Sequence, residues 1–120
     1  MESLEDLRRA VEQFVAERDW EPFHTPKNIA MALTVEAAEL QEHFQWLTAE
    51  QSKALPADRL SEVADEIADV QVYLVRLADR LGVDILAACE TKLAKNRAKY
   101  PVELARGGAE KYHRLGGGET

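Results

Sequence analysis

The sequence predicts an all-α fold, a four-helix bundle completed by oligomerisation. Three observations carry that expectation. Apolar residues recur at 3- and 4-residue steps over four long stretches, the period of an amphipathic helix. Glycine and proline fall between those stretches, at Pro22 and Pro26, at Pro56, at Gly82 and at Pro101. No strand-like alternation bounded by turn residues stands between the breaks. At 120 residues the chain is one domain's worth of protein, with a modest core that subunit contacts would extend.

The first helix opens at Ser3, with Glu5 and Asp6 in its first turn at the positive end of the helix dipole. Leu4, Leu7, Val11, Phe14 and Val15 form its apolar stripe. The second runs from Pro26, a residue favoured at the first helical position, to Leu47, with Ile29, Leu33, Leu40, Phe44 and Leu47 on one face. The third opens near Pro56 and Asp58 and ends at Leu81, where Gly82 is the left-handed stop. Its stripe of Leu60, Val63, Ile67, Val70, Leu74, Leu77 and Leu81 steps 3, 4, 3, 4, 3, 4 and reads as a bundle seam. Ala64, Ala68, Val72 and Val75 make a second apolar strip roughly opposite. A helix that is apolar on two sides packs on two sides, so one partner is expected to be another subunit, in a homodimer or homotetramer. The fourth helix runs from about Asp84 to Tyr100 and stops at Pro101. The domain expected from this pattern covers residues 1–101. A tail over 102–120 is expected to dock in part and to fray at Gly116–Thr120.

Twenty-two acidic residues against fifteen basic ones leave a net charge of −7. Nucleic-acid polymers are therefore not expected as partners, since their binders carry a basic face. A small phosphorylated ligand remains open, but it needs a counter-charge, and a divalent metal ion supplies one. The single cysteine, Cys89, sits among Ala87, Ala88 and Leu93 and reads as a small buried apolar side chain in an intracellular protein. No basic-then-apolar leader opens the chain, and its longest nearly apolar stretch, around Val70 to Val75, is too short for a bilayer. The expectation is a cytoplasmic protein with no membrane partner.

The acids are placed unlike those of a plain bundle. Glu36 fills the gap between Leu33 and Leu40 in the second helix's stripe, with Glu39 a step further round and His43 near Glu36. A carboxylate inside an apolar stripe is costly unless paired or metal-bound. On the third helix Glu62, Glu66, Asp69 and Tyr73 step 4, 3, 4 along one flank of the seam. Packed antiparallel, the two helices place Glu36, Glu39, Glu66 and Asp69 around one cavity. Four facing carboxylates repel without cations, and all-oxygen ligation suits Mg²⁺, with Mn²⁺ as a substitute, whereas zinc recruits Cys or His. Glu62 and Asp65 read as solvated surface. Lys92, Lys95, Asn96 and Lys99 share one face of the fourth helix, where they suit a phosphate chain and equally suit the helix dipole.

At this point the chain resembles a known family. Glu36-Ala-Ala-Glu39, 26 residues, then Glu66-Ile-Ala-Asp69 is similar to the E-x-x-E…E-x-x-D pattern of the MazG-like all-α nucleoside triphosphate pyrophosphohydrolases. Arg18-Asp-Trp20-Glu-Pro-Phe23-His24-Thr-Pro26-Lys27-Asn28, the stretch ending Phe44-Gln45-Trp46, and Lys92-Leu-Ala-Lys95-Asn96-Arg97-Ala-Lys99-Tyr100-Pro101 resemble its dCTP pyrophosphatase-like branch. The likeness covers roughly residues 4 to 115.

The resemblance implies that Glu36, Glu39, Glu66 and Asp69 bind Mg²⁺ and serve catalysis, with water attacking the α-phosphorus of a nucleoside triphosphate to give a monophosphate and pyrophosphate. It implies phosphate contacts from Lys95, Asn96, Lys99 and Tyr100, with Arg97 alongside, and a base and sugar pocket using Trp20, His24, Asn28 and Trp46. Each of the latter has a plainer explanation. Trp20 and Trp46 serve core or subunit contacts as readily as base stacking, and His24 beside Pro26 could cap the helix. His43 and Tyr73 read as packing. The substrate expected is dCTP or a modified pyrimidine deoxynucleotide, in cleansing of the nucleotide pool. A ferritin-like di-iron bundle would need Glu-x-x-His on inward helices. That spacing occurs only at Glu21 to His24, across Pro22, and at Glu110 to His113 in the tail. The alternative function is a non-catalytic helical interaction module with the acids as surface.

Overall fold

Ser3 starts the first helix: its hydroxyl accepts the Asp6 N–H at 3.1 Å, and α1 then runs Leu4–Glu17. The structure is a computed structural model, which describes residues 1–107. Beyond α1 the chain turns through Asp19, held in the left-handed region at φ 54°, where a short polar side chain is tolerated better than most. The Trp20 N–H donates back to the Val15 carbonyl at 3.1 Å, and a single 3-10 turn follows at Glu21–Phe23. Thr25 caps α2, Pro26–Glu42, by accepting the Asn28 N–H at 3.2 Å, with Pro26 at the first helical position.

The second helix is shorter than its stripe predicts. It ends at Glu42, and residues 43–47 continue as turns closed by the 2.9 Å bonds Phe44 N–H to Gln41 and Leu47 N–H to Phe44. Thr48 and Gln51 then form a capping box, the Gln51 N–H donating to Thr48 Oγ1 at 3.1 Å and the Thr48 N–H to Gln51 Oε1 at 2.9 Å. That box commits the chain to a new one-turn helix, α3, Ala49–Ser52. The long helix α4, Ala57–Leu81, stops at Gly82 with φ 69°. The Val83 N–H reaches the Ala78 carbonyl at 2.8 Å and the Gly82 N–H that of Asp79 at 3.2 Å, a Schellman pair.

Met1–Val83 forms one unit, in which α1 and α2 both pack on α4. Arg80 Nε donates to the His24 carbonyl at 3.0 Å, before α2, and Arg59 Nη1 donates to that of His43 at 3.2 Å, after it. The two helices are therefore antiparallel. Arg8 Nη1, on α1, donates to Asp79 Oδ1 at 3.3 Å. The core of this unit is Val11, Val15, Ile29, Val63, Val75 and Ala78. Replacing Ile29, only 2% exposed, by alanine should cost about 2–5 kcal/mol in a denaturant titration; a loss below that range would mean the core is not centred there.

The expected seam is only half inside. Val63 is buried and Val70 and Leu77 are half-buried, but Leu60, Ile67, Leu74 and Leu81 are 55%, 55%, 41% and 57% exposed. Residues seven apart drift only about 20° on a helix, so these four form one continuous apolar row. Within Met1–Val83, helices α1 and α2 pack on α4 without covering that row.

Asp84–Thr120 is the second unit. Asp84 caps α5, Ile85–Lys99, by accepting the Ala87 N–H at 3.0 Å, and Pro101 precedes α6, Val102–Ala105. None of the α5 residues is buried, so Cys89 is exposed and not the buried side chain its apolar neighbours predicted. The expected fray at Gly116–Thr120 and the Glu110 to His113 spacing lie outside the described residues. No strand occurs among the described residues, and no helix there is long and apolar enough to cross a membrane.

Candidate active site

Two helical turns, each with acids three residues apart, face one another. Glu36 and Glu39 project from α2, and Glu66 and Asp69 from α4. Glu36, Glu39 and Glu66 each bring a carboxylate oxygen within 4.8 Å of the others. Burial pushes Glu36 up to about 7, with the carboxyl groups of Glu66 and Glu39 and then the charges of Glu39 and Asp69 adding to the rise. Glu36 thus feels all three of the other acids. Oε2 of Glu36 and Oε2 of Glu66 are buried without a hydrogen-bond partner. Orphaned buried oxygens are rare and need a reason. A hard divalent cation is one that fits, because every donor is oxygen and the acids would otherwise repel.

Asp69 also lines a cavity of about 420 Å³ between α1 and α4, so acid cluster and cavity are contiguous. The size lies within the ~300–1,000 Å³ usual for small-molecule sites. Its walls include Val11 and Phe14 from α1, Trp20 and His24 from the turn, and Tyr73 and Arg76 from α4. Phe14 and Trp20 meet edge to face at 5.7 Å, and the Trp20 and His24 rings lie 6.3 Å apart. His24 is pinned from α4: Arg80 donates to its carbonyl, and Arg76 Nε to its Nδ1 at 3.3 Å. Burial, then the charges of Arg76 and Arg80, lowers its pKa below the usual imidazole value.

Of the base-pocket residues expected from the sequence, Trp20 and His24 line this cavity and Asn28 and Trp46 do not. The Asn28 side-chain amide donates to the Phe23 carbonyl at 3.1 Å and so ties the 3-10 turn to α2. Trp46 is 87% exposed in the turns after α2. His43 Nδ1 lies 3.9 Å from Glu62 Oε2, which fits a surface pair better than a ligand. Lys95, Asn96 and Lys99 are on α5 in the second unit, followed by Tyr100 as its C-cap, with Lys99 Nζ 5.9 Å from the Tyr100 ring centre.

Tyr73 and Arg76 were legible in principle. The stepping that links Glu62, Glu66, Asp69 and Tyr73 reaches Arg76 at the next 3-residue step. Phe14 and Val11 carried no signal, because a stripe of apolar residues does not reveal that part of it faces a hollow.

A sequence profile described as the MazG-like family matches residues 31–115, most of the chain and all four acids. The chain belongs to the MazG-like family. This MazG-like chain is 46% identical over 112 residues to dCTP pyrophosphatase 1 of Mus musculus, covering 92% of itself and 66% of that relative. It is 44% identical over 116 residues to dCTP pyrophosphatase 1 of Homo sapiens, covering 94% and 68%. The chain therefore spans about two thirds of the length of these curated relatives. A solved structure of a pyrophosphatase from Archaeoglobus fulgidus aligns with a TM-score of 0.77 and 39% identity, over 81% of this chain and 91% of that one.

Proposed function

We propose that this MazG-like chain is a divalent-metal-dependent nucleoside triphosphate pyrophosphohydrolase, converting a (d)NTP and water to a (d)NMP and pyrophosphate. Its substrate is dCTP or a modified pyrimidine deoxynucleotide, and its role is cleansing the cytoplasmic nucleotide pool. One observation carries the reading: carboxylate oxygens within 4.8 Å, two of the groups with an orphaned buried oxygen, adjoin a cavity of about 420 Å³ through Asp69. The dCTP pyrophosphatases among its relatives support the choice of substrate.

The residues divide the work by chemistry. Glu36, Glu39, Glu66 and Asp69 hold Mg²⁺, or Mn²⁺ in its place; when bound, the ion supplies Lewis-acid charge for the phosphates and for the attacking water. The acids are part of the chain's net charge of −7 and by themselves would repel a triphosphate, a repulsion that a bound cation would offset. Trp20 and Phe14 supply aromatic surface for a base, with Asp69 at the boundary between base and phosphates. Lys95, Asn96, Lys99 and Tyr100 contact the phosphate chain, and Asn28 and Trp46 contribute to the base and sugar pocket, as the family resemblance implies.

The functional unit is a homodimer or homotetramer. The uncovered row of Leu60, Ile67, Leu74 and Leu81 supports this, since a monomer rarely leaves so long an apolar strip in water. Light scattering should give a mass at least twice that of the 13.5 kDa chain, and Ile67→Lys should lower it; a wild-type monomer would refute this part. The reading as a whole is tested by a panel of nucleoside triphosphates assayed for monophosphate and pyrophosphate with Mg²⁺ and Mn²⁺. Equal amounts of dCMP and pyrophosphate from dCTP are expected. A helical interaction module would release neither.

A further inference from the structure

Arg76 is a costly residue in so small a fold, because its guanidinium-bearing side chain is only 3% exposed. Two of its three nitrogens are engaged. Nη1 donates to Asp79 Oδ2 at 3.3 Å and Nε donates to His24 Nδ1 at 3.3 Å. The third, Nη2, is buried without a hydrogen-bond partner, 3.6 Å from Glu21 Oε1. Both Arg76 and His24 stand on the wall of the cavity. An arginine nitrogen only donates, so the His24 Nδ1 that faces it must be the bare acceptor nitrogen. In the neutral ring the one remaining proton then sits on Nε2.

We propose that Arg76 sets specificity at the base end of this site by locking His24 as its Nε2–H tautomer, so that His24 presents a fixed donor to a nucleobase. The proposal rests on the hydrolase reading and names what that site selects. A fixed donor takes a base edge that offers it an acceptor. Cytosine has one, in N3 and O2. Uracil and thymine place an N3–H donor between two carbonyls, and a donor facing a donor leaves both desolvated and unpaired. Arg76 is therefore a positioning residue that acts through His24. Lysine could not replace it, having one nitrogen where the geometry uses a fork.

The tautomer can be read without any nucleotide, from the imidazole nitrogen and proton resonances of the intact protein at neutral pH. A neutral His24 with its proton on Nε2 is expected. A His24 protonated on Nδ1 overturns the proposal. In turnover, the wild type should prefer dCTP to dUTP and dTTP, and Arg76→Met should reduce that preference roughly 10- to 100-fold through the KM for dCTP. A deoxyribose triphosphate lacking a base should be hydrolysed equally by both. An unchanged preference in the variant, or equal loss on dCTP and the base-free compound, contradicts it. Should Arg76→Met fail to fold, the wild-type resonances and the wild-type preference still decide. A chain that hydrolyses nothing would sink the hydrolase reading separately, and the resonances would still show whether Arg76 fixes the His24 tautomer.

Discussion

Asp69→Asn and Glu39→Gln are each expected to lower pyrophosphate release from dCTP by at least roughly 10²–10³-fold, the scale on which removing one transition-state charge contact acts. The amides keep the shape of the acids and remove the charge that holds the cation. Asp69 is the informative one, because Glu36 feels its charge and it lines the cavity. Its side chain is exposed, so the change leaves no buried hole, and helicity by circular dichroism should be unchanged. Glu62→Gln is the control. Glu62 lies on the same flank of α4, but its side chain is 63% exposed and its neighbours are Arg59 and His43. Its turnover should match the wild type. Full activity in Asp69→Asn would remove the acids from the chemistry.

The second large effect is on stability. Glu36 is held up to about 7 in the folded metal-free chain, against 4.5 for the ordinary carboxyl. The folded state then keeps a proton that the unfolded state has released, so stability contributed by this group is full below pH 4.5 and is lost as pH rises toward 7. A bound cation reverses the trend, since it takes the place of that proton. Magnesium at a hundred times its dissociation constant should add about 2.7 kcal/mol, visible as a rise in melting temperature at pH 8. At pH 5 Glu36 is protonated and the rise should be much smaller. Glu36→Gln should melt higher than the wild type in a chelator at pH 8 and should lose most of the magnesium response. A magnesium shift of equal size at pH 5 and pH 8 would contradict the clustered acids.

The sequence announced the acids because Glu36 interrupts a leucine stripe, and an apolar face tolerates such a residue only for a reason. The helix stops at Gly82 and Pro101 were equally plain, since backbone chemistry enforces them. The end of α2 was not. Phe44 and Leu47 keep helical spacing with Leu40, whereas the Thr48-x-x-Gln51 box restarts the chain. The row of Leu60, Ile67, Leu74 and Leu81 was read as seam because periodicity says that a face wants apolar cover without saying which chain provides it. The cavity was only half legible. The resemblance points to Trp20 and His24, whereas Val11 and Phe14 join them only once α1 lies against α4.

Calorimetric titration of Mg²⁺ and Mn²⁺ into the intact protein near neutral pH tests the central claim most directly. Saturable binding that releases protons into buffer, as Glu36 ionises, and that Glu66→Gln abolishes, is the predicted result. Heats of dilution alone, or binding that survives Glu66→Gln unchanged, would contradict the account.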